Sequence, residues 1–127
     1  MSFNLEGQRC TILVVEDSPL VLSLITELLL SEDYQVVSAT SAESALSTLS
    51  TLTEPPALVI SDLRLGSGMG GLELLRLAMA ASPGQKGILM SGAFDEQLAV
   101  HQPFSVLRKP FDAETLLTLV ARVVAAK

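Results

Sequence analysis

Five polar side chains stand where short apolar runs of this sequence end. They are Glu16, Asp17, Asp62, Ser91 and Lys109. Two carboxylates repel each other by about 4 kcal/mol at roughly 4 Å and an effective dielectric constant of about 20, so a cluster of three needs a cation. A ligand set made up only of oxygen atoms is the kind that Mg²⁺ prefers, and this ion binds through one or two carboxylates together with water and phosphate oxygens. The pattern predicts a magnesium site where the three carboxylates meet, with Lys109 as a second positive charge.

Phosphoryl transfer is the chemistry that these groups support. Asp62 is an anionic nucleophile that can attack phosphorus in line and form an acyl phosphate. The metal ion and Lys109 would stabilise the charge on the transferring oxygens, and Ser91 can donate a hydrogen bond to one of them. No pattern typical of a nucleotide pocket accompanies these residues. The predicted donor is therefore another phosphoprotein or a small reactive phosphate.

Short β-branched runs alternate with segments of helical periodicity, which is typical of a parallel sheet covered by helices on both faces. The predicted strands cover 11–15, 35–39, 57–62, 87–91 and 105–109. Five such units predict an α/β fold, a doubly wound five-stranded sheet with the flavodoxin-like order 2-1-3-4-5. The site of such a sheet lies outside the carboxyl ends of its strands, where the five polar residues converge.

Capping patterns set the predicted helix boundaries. Ser18 and Pro19 give an N-cap followed by proline at the first helical position, and the apolar spacing carries this helix to about Ser31. Thr40 and Glu43 predict a capping box for the second helix. The remaining predicted helices are a third over 72–81, a short or irregular fourth within 92–102, and a last one after the cap Asp112.

Length and composition describe one domain. The 127 residues suit a single core, and we expect an extension over 1–9 followed by the domain over 10–127. A net charge of −6 leaves no basic surface for nucleic acid. Cys10 is the single cysteine, so we expect a core residue and no disulfide. Neither a membrane span nor a signal peptide is indicated, and we expect a cytoplasmic protein.

With these motifs the chain resembles the receiver domain of two-component response regulators, over nearly its whole length. The matching segments are Glu16-Asp17, Val59–Leu65 around Asp62, Gly71–Leu75, Met90–Ala93 and Lys109–Phe111. The resemblance implies a phosphoacceptor, Asp62, that takes its phosphoryl group from a phosphohistidine on a sensor histidine kinase or phosphotransfer domain. It also implies the backbone carbonyl of Arg64 as a further Mg²⁺ ligand. Such a domain assists its own phosphorylation and dephosphorylation but is not a conventional turnover enzyme.

Three features depart from the family pattern. Val106 occupies the position, three residues before Lys109, that usually holds an aromatic switch residue. The loop Gly66–Gly71 lacks the usual proline and is one residue longer, a form similar to receivers of hybrid sensor kinases. The interval from Ser91 to Lys109 is about one helical turn shorter than usual, which is why the fourth helix is predicted to be short or irregular.

Several alternatives stay open or are disfavoured. Glu16 contacts the metal either directly or only through water. A degenerate receiver acting as a constitutive binding module is the first rival function, and a flavodoxin-like small-molecule binder is the second. A dinucleotide site at Gly66–Gly71, which satisfies G-x-G-x-x-G, is disfavoured because the motif follows the third strand rather than the first. His101 lacks the companions of a metal site and is expected to be exposed.

Overall fold

The computed structural model describes residues 10–92 and 103–126. Its five strands are all parallel and lie in the order β2-β1-β3-β4-β5, which confirms the predicted fold class. The strands are β1 (Thr11–Val15), β2 (Gln35–Ala39), β3 (Leu58–Asp62), β4 (Gly87–Ser91) and β5 (Ser105–Arg108). Strands β3 and β5 are each one residue shorter than predicted.

Helices cover both faces of this sheet. Those of the described residues are α1 (Pro19–Ser31), α2 (Ala42–Thr51), α3 (Gly71–Ala81) and α4 (Ala113–Ala125). The Ser18 hydroxyl caps α1 by accepting from the N–H of Val21 at 3.5 Å, and the Asp112 carboxylate caps α4 by accepting from Thr115 at 2.8 Å. Both caps confirm the predicted helix starts.

Two apolar layers sandwich the sheet. Ile12 and Val14 of β1 belong to the layer that packs under α1 and α4, whereas Leu13 and Val15 belong to the layer under α2 and α3. Successive side chains of a strand point to opposite faces, so a strand buried on both sides is apolar at nearly every position. This burial leaves polar residues to the strand ends, where the sheet meets solvent.

The predicted capping box of α2 is wrong. Ser41, not Thr40, is the N-cap, and its hydroxyl accepts from the N–H of Ser44 at 3.0 Å. The Glu43 carboxylate instead accepts from the backbone N–H of Met69 at 3.0 Å. A cap needs only a nearby hydroxyl, so adjacent Thr40 and Ser41 compete for it, and the chosen register moves Glu43 to another partner.

Some predictions fall outside the described residues. The short fourth helix and the exposed His101 belong there, as does Ala93 of the family motif. Within the described residues Cys10 is buried, as expected. No helix of the described residues combines the length and the apolar character that crossing a bilayer requires.

Candidate functional site

The carboxyl ends of β1 and β3 bring three carboxylates together. One oxygen from each of Glu16, Asp17 and Asp62 lies within 4.8 Å of the other two. The pairing of Val15 with Ser61 puts the residues that follow these two positions, Glu16 and Asp62, at the same edge of the sheet. Glu16 is buried, Asp62 is 9% exposed and Asp17 is open to solvent. The cluster is thus accessible from one side.

Lys109 supplies the positive charge of this cluster. Its ammonium nitrogen lies 3.0 Å from Oδ2 of Asp62 and 3.7 Å from Oε1 of Glu16. The backbone fixes its position, because the N–H of Lys109 donates to the carbonyl of Ser91 at 2.8 Å and so extends the pairing of β5 with β4. About a third of the Lys109 side chain stays exposed, so a ligand can reach the ammonium group.

Glu16 is the most constrained of the three acids. Its Oε2 accepts from the backbone N–H of Ser18 at 3.0 Å, while its buried Oε1 has no hydrogen-bond partner within the described residues. Burial raises the pKa of this carboxyl, and the neighbouring charge of Asp62 adds to the rise. The Ser18 N–H and the Lys109 charge act in the opposite direction on the same pKa. A charged Glu16 therefore benefits from an additional cation at Oε1.

Ser91 ends β4 at the same edge of the sheet. It is fully buried, and its hydroxyl oxygen has no hydrogen-bond partner among the described residues. Met90, the residue before it, is paired with Asp62 across β3 and β4. A buried hydroxyl normally finds a partner, so an unpaired one next to a ligand site is available for a bound group.

The loop after Asp62, residues 63–70, leads to α3 along the edge of the cluster. Leu63 donates from its N–H to the carbonyl of Met90 at 2.9 Å and accepts from the N–H of Gly71 at 2.9 Å. Gly66 has a φ of 68°, in the left-handed region that glycine adopts without strain. A Cβ atom at Gly66 would lie 3.9 Å from Oδ2 of Asp17. The loop therefore passes beside the acidic cluster.

These groups fit a magnesium ion. The donor set consists of carboxylate oxygens, as a hard cation prefers, and one of these oxygens is buried and unpaired. Asp17, Asp62 and Glu16 would hold the ion, and the carbonyl of Arg64 stays a prediction as a further ligand. A bound divalent cation would offset the mutual repulsion of the three acids.

Comparison with known proteins assigns the chain to a family. The sequence model of the response regulator receiver domain matches residues 12–121, and the chain belongs to that family, which functions in two-component signalling. The transcriptional regulatory proteins GlrR of Escherichia coli (strain K12) and QseF of Escherichia coli O157:H7 are each 37% identical over 109 residues, 83% of this chain. The chain spans 24% of the length of each.

Solved structures agree with this assignment. A response regulator receiver domain protein from Clostridium thermocellum superposes with a TM-score of 0.83 at 25% identity, over 91% of this chain and 94% of that one. The receiver domain of NtrX from Brucella abortus gives a TM-score of 0.82 at 27% identity, over 91% and 99% of the two chains. The similarity thus extends over about nine-tenths of this chain.

The structure places the five polar residues predicted from the sequence at one edge of the sheet. Glu16 and Asp62 pair with Lys109, and an oxygen of Asp17 lies within 4.8 Å of both acids. Ser91 lies at the end of the neighbouring strand. Val106 is half-buried on β5 and packs in the layer under α2 and α3. Sequence reasoning missed the contact of Glu43 with Met69, since no spacing pattern links residues 26 positions apart in different elements.

Proposed function

We propose that this receiver domain accepts a phosphoryl group on the carboxylate of Asp62 and that this modification changes its affinity for a partner protein. The position of Asp62 carries the proposal: it ends β3 between two acids and an ammonium group 3.0 Å away. A carboxylate that a cation already holds at a partly open edge is oriented and reachable. Membership of the receiver family supports the same assignment.

The proposed reaction is a Mg²⁺-dependent transfer from a phosphohistidine. A carboxylate oxygen of Asp62 attacks phosphorus, an O–P bond forms, and the N–P bond of the donor breaks. The bonding pair goes to the imidazole nitrogen, and neutral histidine leaves because the other ring nitrogen of the donor carries a proton. Magnesium, when bound by Asp17, Asp62, Glu16 and the Arg64 carbonyl, would supply Lewis-acid stabilisation of the phosphoryl oxygens.

Residues of the chain have distinct roles in this scheme. The Lys109 ammonium group, released from Asp62 Oδ2 as that carboxylate becomes an acyl phosphate, pairs with a phosphoryl oxygen. The Ser91 hydroxyl donates a hydrogen bond to another, because its oxygen has no other partner among the described residues. In dephosphorylation, water attacks phosphorus, the O–P bond to Asp62 breaks, and inorganic phosphate leaves as the carboxylate is restored. The domain thereby assists its own phosphorylation and dephosphorylation without being a turnover enzyme.

The proposed partners follow from the donor chemistry. A sensor histidine kinase or a histidine phosphotransfer domain would deliver the phosphoryl group, and the reaction would take place in the cytoplasm. The net charge of −6 argues against direct contact of this domain with nucleic acid. Since the chain spans 24% of its curated relatives, an effect on transcription like the one their names describe would act through another domain or a partner.

Val106 favours a second candidate, a degenerate receiver that binds its partner constitutively. A β-branched residue with one stiff torsion cannot report phosphorylation by swinging between buried and exposed positions as an aromatic residue can. The intact cluster of acids and Lys109 opposes this reading.

Phosphorylation by a small donor tests the proposal. Incubation with phosphoramidate and Mg²⁺ should add the mass of one phosphoryl group to the wild type and none to Asp62→Asn, which keeps the shape of the side chain but lacks the nucleophilic charge. Asp33→Asn, at the opposite end of α1, is the matched control and should be labelled normally. Equal labelling of Asp62→Asn would refute the acceptor assignment. A wild type that stays unlabelled but binds a partner would support the constitutive module.

A further inference from the structure

The β3–α3 loop is anchored to α2 by one carboxylate. Oε2 of Glu43 accepts from the backbone N–H of Met69 at 3.0 Å. The same carboxylate lies directly over Gly68, because a Cβ atom built there would meet its two oxygens at 2.9 and 3.1 Å. Glu43 therefore contacts two consecutive residues of the loop, one by a hydrogen bond and the other by close packing.

This loop is continuous with the acidic cluster. It begins at Leu63, directly after Asp62, and at Gly66 it passes beside the carboxylate of Asp17. Its two ends are joined by the hydrogen bond from Gly71 to Leu63. The Glu43 contact fixes the far side of the loop, between those ends, against a helix that belongs to a different part of the chain. A displacement of the loop would move the backbone next to both acids.

We propose that Glu43 is a positioning residue for the phosphoryl-acceptor site: its carboxylate holds the loop of residues 63–70 in the conformation that completes the metal and phosphoryl site beside Asp17 and Asp62. The inference rests on the proposed function. Glu43 touches none of the acids, so its effect is transmitted through the loop backbone. If the carbonyl of Arg64 is a metal ligand, the loop also carries part of the coordination sphere.

The alternative is an ordinary exposed acid that contributes only surface charge. Three observations argue against it. The hydrogen bond to Met69 has a normal N–H···O length, and the N–H of Met69 lowers the pKa of the Glu43 carboxyl, as expected when the charged form is the one bound. The packing over Gly68 is also specific, since any larger residue there would push the carboxylate away.

Substitutions from both sides of the contact test the proposal. Glu43→Ala removes the acceptor, Glu43→Gln keeps an acceptor oxygen without the charge, and Gly68→Ala displaces the carboxylate. The φ of Gly68 lies outside the left-handed region, so alanine causes no backbone strain there, and its methyl group meets only the end of a flexible side chain. Glu54→Ala, an exposed acid of the α2–β3 connection, controls for the loss of one negative charge.

Three readouts separate positioning from mere structure: amide exchange at Met69 in metal-free protein, the Kd for Mg²⁺, and the initial rate of phosphorylation by phosphoramidate. Glu43→Ala and Gly68→Ala should each speed exchange at Met69, weaken Mg²⁺ binding and slow phosphorylation, by about two- to fivefold, as expected for loss of one solvent-exposed polar contact. Glu43→Gln should restore most of the loss, and Glu54→Ala should resemble the wild type. The double variant with Glu43→Ala and Gly68→Ala should lose no more Mg²⁺ affinity or phosphorylation rate than Glu43→Ala alone, because both substitutions break the same contact.

The outcomes distinguish this inference from the proposed function. If the wild type is not phosphorylated at all, the proposed function fails, while Met69 exchange and Mg²⁺ affinity still decide the role of Glu43. Faster exchange with unchanged Mg²⁺ affinity and phosphorylation rate would overturn the positioning role and leave a purely structural contact. Additive losses in the double variant, or equal effects of Glu43→Ala and Glu54→Ala, would overturn it as well.

Discussion

Gly71 packs against Asp62 so closely that a Cβ atom on residue 71 would lie 2.0 Å from the backbone carbonyl oxygen of Asp62 and 2.7 Å from the hydroxyl oxygen of Ser61. The first residue of α3 thus rests directly on the end of the strand that carries the proposed acceptor. Only a residue without a side chain permits this approach. The helix and the acceptor are therefore positioned by the same contact.

Gly71→Ala should destabilise the domain by about 1–3 kcal/mol or more, because neither the backbone carbonyl nor the buried Ser61 can yield easily. Urea unfolding measures the change in the free energy of unfolding. Gly68→Ala is the matched control, since its methyl group meets only the Glu43 carboxylate, and it should leave stability nearly unchanged. Equal stability of the two variants would mean that the strand end is less rigid than its burial indicates.

Removal of one acid should weaken the metal site. Asp17→Asn loses a charged oxygen ligand, and a unit charge roughly 4 Å from a divalent ion contributes about 2 kcal/mol even at the dielectric constant of water. Mg²⁺ affinity should therefore fall by at least about tenfold. Titration of wild type, Asp17→Asn and Asp33→Asn, a control at the opposite end of α1, measures the effect. Unchanged affinity in Asp17→Asn would place the ion elsewhere.

The buried Glu16 predicts a pH dependence of stability. Its pKa is raised on folding from an ordinary value of 4.5, so the folded chain binds more protons than the unfolded chain above pH 4.5. Stability associated with Glu16 is thus fully present below that pH and is lost as pH rises through the folded pKa. In metal-free protein Glu16→Gln should suppress this loss, whereas Glu54→Gln should not. A wild type and a Glu16→Gln variant with parallel stability curves would contradict the assignment.

Much of this site follows from the sequence because its determinants are local. Apolar runs fix the strands, and each polar residue at a strand end is carried to the common edge by the parallel order of the sheet. Ser18 and Asp112 each cap the helix that follows by accepting from a backbone N–H three residues later. Two other contacts are not local in this sense. The contact of Glu43 with Met69 depends on how a loop packs against a helix distant in sequence. The contact of Gly71 with Asp62 depends on a close approach of two backbone segments. Neither contact leaves a periodic pattern in the sequence. The sequence likewise does not predict which of Thr40 and Ser41 caps the helix.

Lys109 and the metal ion should be separable by mutation. Lys109→Ala removes a cation that pairs with Asp62, so Mg²⁺ binding should stay intact or tighten. Phosphorylation by phosphoramidate should slow, because the ammonium group no longer stabilises the transferring oxygens. Arg76→Ala, which removes a positive charge from the exposed face of α3, controls for net charge. Weaker Mg²⁺ binding of Lys109→Ala combined with a normal phosphorylation rate would contradict the role assigned to Lys109.

Substitution of the two buried serines at the site should have opposite effects on the free energy of unfolding. Ser61 donates from its hydroxyl to the carbonyl of Asp62 at 2.9 Å, whereas the hydroxyl oxygen of Ser91 has no hydrogen-bond partner within the described residues. Replacing a bonded buried hydroxyl costs about 1 kcal/mol, while removing an unsatisfied one relieves a desolvation penalty. Ser61→Ala should therefore lower the free energy of unfolding, and Ser91→Ala should leave it unchanged or raise it.

In the response to phosphorylation, Ser91→Ala should have the larger effect and Ser61→Ala the smaller one, the reverse of their effects on stability. A beryllofluoride mimic of the phosphoryl group on Asp62 should alter amide exchange at Gly92 in the wild type and in Ser61→Ala, because Ser91 moves toward the new acceptor and its chain neighbour follows. Ser91→Ala lacks the donor and should lose that change while still binding the mimic. Ser91→Thr keeps the hydroxyl and is the conservative control. A full response of Ser91→Ala would show that its hydroxyl has no part in transmitting phosphorylation, and the unpaired oxygen would then be only a packing cost.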